Sequence, residues 1–448
     1  MAKKPASGLT AQLKEKLIQK ALDRKLRYAG QVSSDNTKGM AGETVWIPEE
    51  FHNFQLHPGY QQLLILNDGA KRLGINNPYF KLHQGLADAT TQIGDRGFIN
   101  FASYNYLGLN GHPEVNEAAK AAIDCYGTSV SASRAVSGER PIHRELEKSI
   151  AKTYGVDSAV AFVSGHATNV TTIGYLFGNN DLILHDELIH NSVLQGALLS
   201  GARRLSFPHN DLDALERILK EQRRQFERVL IVVEGIYSMD GDYPNLPKLI
   251  EIKSKHKTFL MVDEAHSFGV MGATGKGIRE HFGVDGKEVD MWMGTMSKAL
   301  AGCGGYIAGE HALIDHLKFL APGFLYSVGM APPLAAASLA ALQCMQREPE
   351  RVATLQERGK LFLQLAKSAG VDTGASLGLA VIPAIIGSSL NAVRLSVALH
   401  DQGINVQPIV YPAVPEKAAR LRFFISCQHT ESQIETTIEV LAKEIDRL

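Results

Sequence analysis

Short apolar runs that alternate with helical stretches constrain this chain more than any other feature of it. From about residue 98 onward, AVAFVS (159–164), VLIVVEG (229–235) and FLMVDEA (259–265) would each be apolar on both faces of an extended backbone. Around them, residues 140–154, 191–200, 211–227 and 245–256 carry helical periodicity. A strand without a polar face must be covered on both sides, and strands separated by helices pair in parallel. The pattern therefore predicts an α/β fold, a mainly parallel sheet covered by helices. From about residue 336 a long helix leads into IPAIIG, a helix at 388–402, INVQPIV, RLRFFIS and a last helix at 430–447. That stretch reads as a smaller α+β C-terminal domain.

The N-terminus is different. Residues 9–28 place Leu9, Leu13, Leu17 and Ala21 at four-residue steps beside Ile18, Leu22 and Leu26, which predicts a helix with one apolar face. A Gly-, Ser-, Asn- and Thr-rich linker follows, to about residue 45. Such a helix suits a docking or dimer element, or an extension left from a longer polypeptide. The expected division is an N-terminal helical extension and linker (1–55), an N-terminal segment (56–105), a large domain (106–335) and a small C-terminal domain (336–448). Two uncharged stretches, 319–346 and 374–393, contain breakers (Pro322, Gly323, Gly329, Pro332, Pro333; Pro383 and three Gly). The first reads as a buried loop before a helix starting near Pro333, the second as buried strand and turn, and neither as a membrane span.

Composition narrows the function classes. Lys and Arg total 46 against 47 Asp and Glu, a net charge of −1, which argues against a globally basic nucleic-acid binder. Hydrophobic residues make up 45% of the chain, which excludes bulk disorder. Cys125, Cys303, Cys344 and Cys427 form no CxxC pair, so no thiolate metal site is expected, and their small number fits a reducing compartment. With no apolar leader at the N-terminus, the expected location is the cytoplasm.

Two readings compete for VDEAH (262–266). A helicase-type NTPase would need a GxxxxGK[ST] phosphate loop, and the only nearby Gly-Lys, Gly275–Lys276, follows VDEAH and is itself followed by Gly277. The other reading joins Asp263 to Lys298 in GTMSKALAGCGGYIAG (294–309). Pyridoxal phosphate needs a lysine for its Schiff base and an acid to keep its pyridine nitrogen protonated. An Asp at a strand end and a Lys on a later loop suit a ligand at the carboxyl ends of the strands. SGHATN (164–169) adds a strand-to-helix turn whose free N–H groups would bind an anion. An ordinary surface lysine and an ordinary turn fit these residues as well, so on chemistry alone both readings stand.

The motifs decide between them. NFASYNYLGL, SGHATN, HNS, FPHND, EGIYSMDGD, VDEAHSFGVMG, GTMSKALAGCGGYIAG, LYSVGMAPP and ARLRFF follow one another from about residue 95 to the C-terminus. In that order they resemble the α-oxoamine synthases, fold-type-I pyridoxal-phosphate-dependent transferases such as 8-amino-7-oxononanoate synthase and serine palmitoyltransferase. The runs 127–141, GHATNVTTIG and PGFLYSVGMAPP are most similar to members associated with polyketide synthases, which take their acyl group from an acyl carrier protein.

The resemblance implies a role for each matching residue. Lys298 would be the Schiff-base lysine and the base for the α-proton. Asp263 would pair with the pyridine nitrogen, His190 would stack on the ring, and His266 would hydrogen-bond its phenolic oxygen. Ser238 would sit beside that oxygen and Glu234 would order the site. Gly165 and His166 amides with Thr295 and Ser297 hydroxyls would hold the phosphate. Ser327 would reach the phosphate of a neighbouring subunit, implying a homodimer with shared sites. Arg422 would bind the amino acid carboxylate, with Arg420 as the fallback. Tyr104 stands where several relatives have Asn, near the bound amino acid. Val328 and Gly329 replace the Thr or Ser of relatives. The implied reaction is a decarboxylative condensation of a small L-amino acid with an acyl thioester, on carrier protein or coenzyme A, giving an α-amino ketone. The rival readings are another fold-type-I reaction, such as transamination or aldol-type cleavage, and a catalytically silent partner subunit. The retained Lys298, Asp263 and His190 argue against the latter.

Overall fold

The computed structural model describes residues 46–448 apart from residues 73 and 75. The chain divides into two compact units, one ending at Leu73 and one running from Gly74 to Leu448. The described part of the first holds two 3-10 turns, Glu49–Phe51 and Phe54–Leu56, and the helix Pro58–Arg72. The helix expected over 9–28 and most of the linker after it lie outside the described residues.

The second unit contains β1 (His83–Gln84), β2 (Thr90–Ile93), β3 (Arg96–Asn100), β4 (Ser158–Phe162), β5 (Leu182–Asp186), β6 (Arg203–Phe207), β7 (Val229–Glu234), β8 (Phe259–Asp263), β9 (Met291–Thr295), β10 (Gly305–Gly309), β11 (Val381–Gly387), β12 (Ile404–Asn405), β13 (Gln407–Ile409) and β14 (Ala419–Phe424). The large sheet runs β4-β10-β9-β8-β7-β5-β6. Only β10 is reversed, pairing antiparallel with both β4 and β9, and the other pairs are parallel. The mainly parallel sheet expected from the apolar runs is therefore present.

Burial explains why those runs fold as strands. Along β7, Val229, Ile231 and Val233 enter one core cluster while Leu230 and Val232 enter a second on the opposite face. Each such aliphatic side chain, fully buried, contributes about 1.5–3 kcal/mol relative to exposure. Trp292 and Tyr154 stack at 5.2 Å within the first cluster.

The C-terminal part differs from expectation first in its helices. The long helix is two, Pro332–Arg347 and Glu350–Ser368. Glu348 precedes Pro349, whose ring disfavours helical backbone at the residue before it, and Glu348 turns out to φ −121°, ψ 60°. The stretch 319–331 is also not uniformly buried, since Phe319 and Tyr326 are exposed. Likewise 374–393 passes from β11 into the helix Ser389–Asp401. Among the described residues no helix is long and apolar enough to cross a membrane. A small antiparallel sheet, β11-β14-β13, has Arg422 on its central strand, opposite Pro383 and Gln407.

The topology brings polar residues to one end of the large sheet. Asp186, Glu234, Asp263 and Thr295 each close a parallel strand, where ligands bind in open α/β sheets. Reversed β10 begins at that same end with Gly305, against the start of the helix Gly165–Leu176. A Cβ at Gly305 would stand 2.4 Å from Thr168 Oγ1 and 2.7 Å from Gly165 Cα. Gly305→Ala should therefore lower stability by about 1–3 kcal/mol through overpacking, measured by denaturant unfolding. Unchanged stability would show that this close approach is not required.

Candidate active site

A cleft of about 350 Å³ opens at these strand ends. Its centre is Asp263, almost fully buried at the end of β8. Asp263 Oδ2 accepts from Asn169 Nδ2 at 2.8 Å, and Oδ1 accepts from the Ala265 N–H at 3.0 Å. Asn169 Nδ2 also donates to Ser192 Oγ at 2.8 Å. The Ser192 hydroxyl and backbone N–H both lie against His190 Nδ1, at 2.7 and 3.3 Å. With two donors at Nδ1, the neutral His190 ring carries its proton on Nε2. Burial pushes the His190 pKa down, with Lys298, His166 and Arg422 adding to the effect and Asp263 opposing it.

Two further groups are shifted away from their charged forms. Burial lowers the Lys298 amine to about 8, despite the opposing charges of Asp263 and Glu234. Burial, with the Asp263 charge adding to it, raises Glu234 to about 8. Its Oε2 accepts from the Ser238 N–H at 3.0 Å, and the His190 backbone N–H also serves this carboxyl. His266 is buried, lies 2.7 Å from the Tyr106 hydroxyl, and is held well below the usual imidazole range by burial first, and then by the Lys298 and Arg422 charges.

The opposite wall is cationic and aromatic. Arg422 Nη1 donates to the Ser238 carbonyl at 3.0 Å, its guanidinium lies 4.6 Å from the Phe424 ring centre, and its buried Nε has no partner. Arg420, the fallback, is committed elsewhere: it pairs with Asp240 at 2.6 Å and donates to the Met239 carbonyl at 3.0 Å. Tyr104 packs edge-on against Phe424 at 4.8 Å, and Lys298 Nζ lies 5.7 Å from its ring centre.

The third wall is the start of the helix Gly165–Leu176, capped by Ser164, whose side chain accepts from Ala167 N–H. Thr295 and Ser297 face it. A Cβ at Gly165 would come 2.9 Å from Thr295 Oγ1, so a side chain there would fill the space between helix start and hydroxyl. A helix start and its dipole beside two hydroxyls are chemically suited to an anion.

Twelve of the thirteen residues expected from the sequence line this cleft: Lys298, Asp263, His190, His266, Glu234, Ser238, Gly165, His166, Thr295, Ser297, Tyr104 and Arg422. Ser327 does not; its hydroxyl donates to the Val328 carbonyl at 3.2 Å. Asn169 and Ser192, which tie Asp263 to His190, had no assigned role, although both stand inside the quoted motifs SGHATN and HNS.

A mainly parallel sheet with one reversed strand thus gathers a strand-end Asp, a loop Lys and a helix start at one cleft, an arrangement that fits a fold-type-I transferase. Comparison agrees. Residues 96–441 match the family described as aminotransferase class I and II. The chain is 38% identical to 8-amino-7-oxononanoate synthase of Symbiobacterium thermophilum, over 84% of this chain and 95% of that protein. It is 37% identical to serine palmitoyltransferase of Sphingobacterium spiritivorum, over 82% of this chain and 91% of that protein. A solved serine palmitoyltransferase structure with its pyridoxal phosphate internal aldimine superposes with a TM-score of 0.83 at 25% identity, covering 88% and 98% of the two chains. The chain belongs to the aminotransferase class I and II family and, within it, to the α-oxoamine synthases.

Tyr106→Phe should cost about 1–3 kcal/mol of stability, because it deprives a buried His266 nitrogen of its hydroxyl partner. Thermal and denaturant unfolding test this, and an unchanged midpoint would mean His266 does not depend on that bond.

Proposed function

We propose that the protein condenses a small L-amino acid with an acyl thioester, releasing carbon dioxide and free thiol and giving an α-amino ketone, with pyridoxal 5'-phosphate as cofactor. One observation carries this reading: a lysine amine lowered to about 8 shares a cleft with a buried carboxylate and a buried guanidinium whose Nε is unpartnered.

The residues present fit the cofactor. Unpartnered Asn169 Oδ1 and Arg422 Nε are polar atoms that want a ligand. The helix-start cradle of Gly165, His166, Thr295 and Ser297 would receive the phosphate. Asp263, held by Asn169 and the Ala265 N–H, would face the pyridine nitrogen. His190 would lie against the ring, while His266 and Ser238 would bond its phenolic oxygen. When bound, the group acts as an electron sink for charge at the substrate α-carbon.

The chain's own residues do the rest. Lys298 would hold the cofactor covalently. Its lowered pKa supplies a neutral amine near pH 8, the form needed both to attach and to accept the α-proton. Arg422 would bind the substrate carboxylate through its planar fork, fixing which bond at the α-carbon is set for cleavage. Tyr104, beside Lys298 and Phe424, would limit the amino acid side chain. Over the whole reaction the α C–H bond breaks and is re-formed by reprotonation, the C–carboxylate bond breaks to release carbon dioxide, one C–C bond forms to the acyl carbon, and the thioester C–S bond breaks, the sulfur taking a proton to leave as free thiol.

Three finer assignments complete the proposal. The acyl donor is an acyl carrier protein, supported by the likeness of 127–141 and PGFLYSVGMAPP to polyketide-synthase-associated members, with coenzyme A as the competing donor. The working form is a cytoplasmic homodimer with shared sites. Ser327, outside its own cleft, would serve a neighbouring subunit.

The test is carbon dioxide release from a panel of amino acids, with carrier-bound and coenzyme A thioesters compared. Release should depend on the thioester, and Lys298→Ala should abolish it. Arg422→Met should raise the amino acid KM about tenfold to 150-fold, the cost of a lost charge-assisted contact of roughly 1.5–3 kcal/mol. Full thioester-dependent release in Lys298→Ala would refute the proposal, and thioester-independent turnover would favour another fold-type-I reaction.

A further inference from the structure

The motif FPHND (207–211) lies outside the cleft, yet its imidazole is held at both ends. His209 Nδ1 is 2.9 Å from Asp186 Oδ1, and Nε2 is 2.8 Å from Asp242 Oδ2. An imidazole that meets a carboxylate at each nitrogen donates at both, which only the cation can do. Burial pushes the His209 pKa down, but the hydrogen bonds and charges of Asp186 and Asp242 outweigh it and raise the group to about 10. The next residue reinforces the bridge. Asn210 sits in left-handed backbone at φ 55°, which Asn tolerates, so that its N–H donates to Asp186 Oδ2 at 2.8 Å and its side-chain amide to Asp242 Oδ2 at 3.0 Å. The neutral Tyr237 ring meets the imidazole edge-on at 4.5 Å.

The bridge joins two parts of the fold. Asp186 is fully buried at the end of β5, and Asp242 closes a turn after β7. In that turn the Gly241 N–H donates to the Tyr237 carbonyl and the Tyr237 N–H to the Asp242 carbonyl, both at 2.9 Å. The turn carries Ser238, whose carbonyl receives Arg422 Nη1. One side of the turn is thus pinned by the His209 cation, and the other holds the guanidinium of the cleft.

We propose that the His209 cation is a positioning residue: by pinning the 237–242 turn between Asp186 and Asp242 it fixes the Ser238 carbonyl and, through it, the direction of Arg422. The idea rests on the reading of Arg422 as the carboxylate receptor.

His209→Gln leaves two buried carboxylates facing one another, and the double variant His209→Gln/Asp242→Asn removes that repulsion. Each would be loaded with pyridoxal phosphate and titrated with amino acid by visible absorption. Amide exchange across 236–243, measured without amino acid, reports the clamp separately. Expected in His209→Gln are faster exchange in 236–243, retained cofactor, and an amino acid dissociation constant raised about tenfold or more, with substantial recovery in the double variant. Unchanged exchange would overturn the clamp. Faster exchange with an unchanged dissociation constant, or loss of cofactor and amino acid binding together with no recovery in the double variant, would overturn the positioning role. If the wild-type protein responds to no amino acid, the reading of Arg422 falls and takes the positioning role with it, while exchange still decides the clamp.

Discussion

A buried carboxylate at the end of a central strand is the constraint around which this molecule is organised. Asp263 is out of water, so its charge needs partners. Asn169 and the Ala265 N–H supply hydrogen bonds, and Lys298 supplies opposite charge when protonated. The same burial that makes Asp263 costly lowers the Lys298 amine and raises Glu234. Both groups thus move away from their solution behaviour for one shared physical reason, desolvation in a small space. Perturbed groups gathered in a cleft mark a functional site.

The sheet makes that space. Parallel strands point their carboxyl ends one way, so residues far apart in sequence reach one rim. Reversed β10 and its Gly305 let the helix Gly165–Leu176 start close beside Thr295. The C-terminal sheet then supplies Arg422 from its central strand, where both neighbours hold it in register. The cationic wall and the anion cradle therefore come from different layers, leaving room between them for a flat ligand.

Much of this was legible in the sequence, for identifiable reasons. Strands buried on both faces leave uninterrupted apolar runs, so β4, β7 and β8 were readable with their helices. Asp263, Lys298 and His190 stood in motifs whose order resembles one family. The direction of β10 was not readable, because antiparallel pairing on both sides leaves no local mark in GYIAG. Asn169 and Ser192 were missed as a link because only the fold brings them to Asp263. Arg420 and Arg422, two residues apart on one strand, look alike in the sequence, and only the fold shows that Asp240 pairs with Arg420. The break before Pro349 was written in the sequence, and the rule for residues preceding proline would have found it.

The central claim is that Lys298 and Asp263 hold pyridoxal phosphate, with Arg422 positioned to receive an amino acid. The most direct measurement is the visible absorption spectrum of the purified protein, alone and titrated with a panel of amino acids, beside that of Lys298→Ala. The expected result is a yellow protein whose band shifts with particular amino acids, and a variant that lacks the lysine-bound band. A colourless protein that takes up no added pyridoxal phosphate would contradict it.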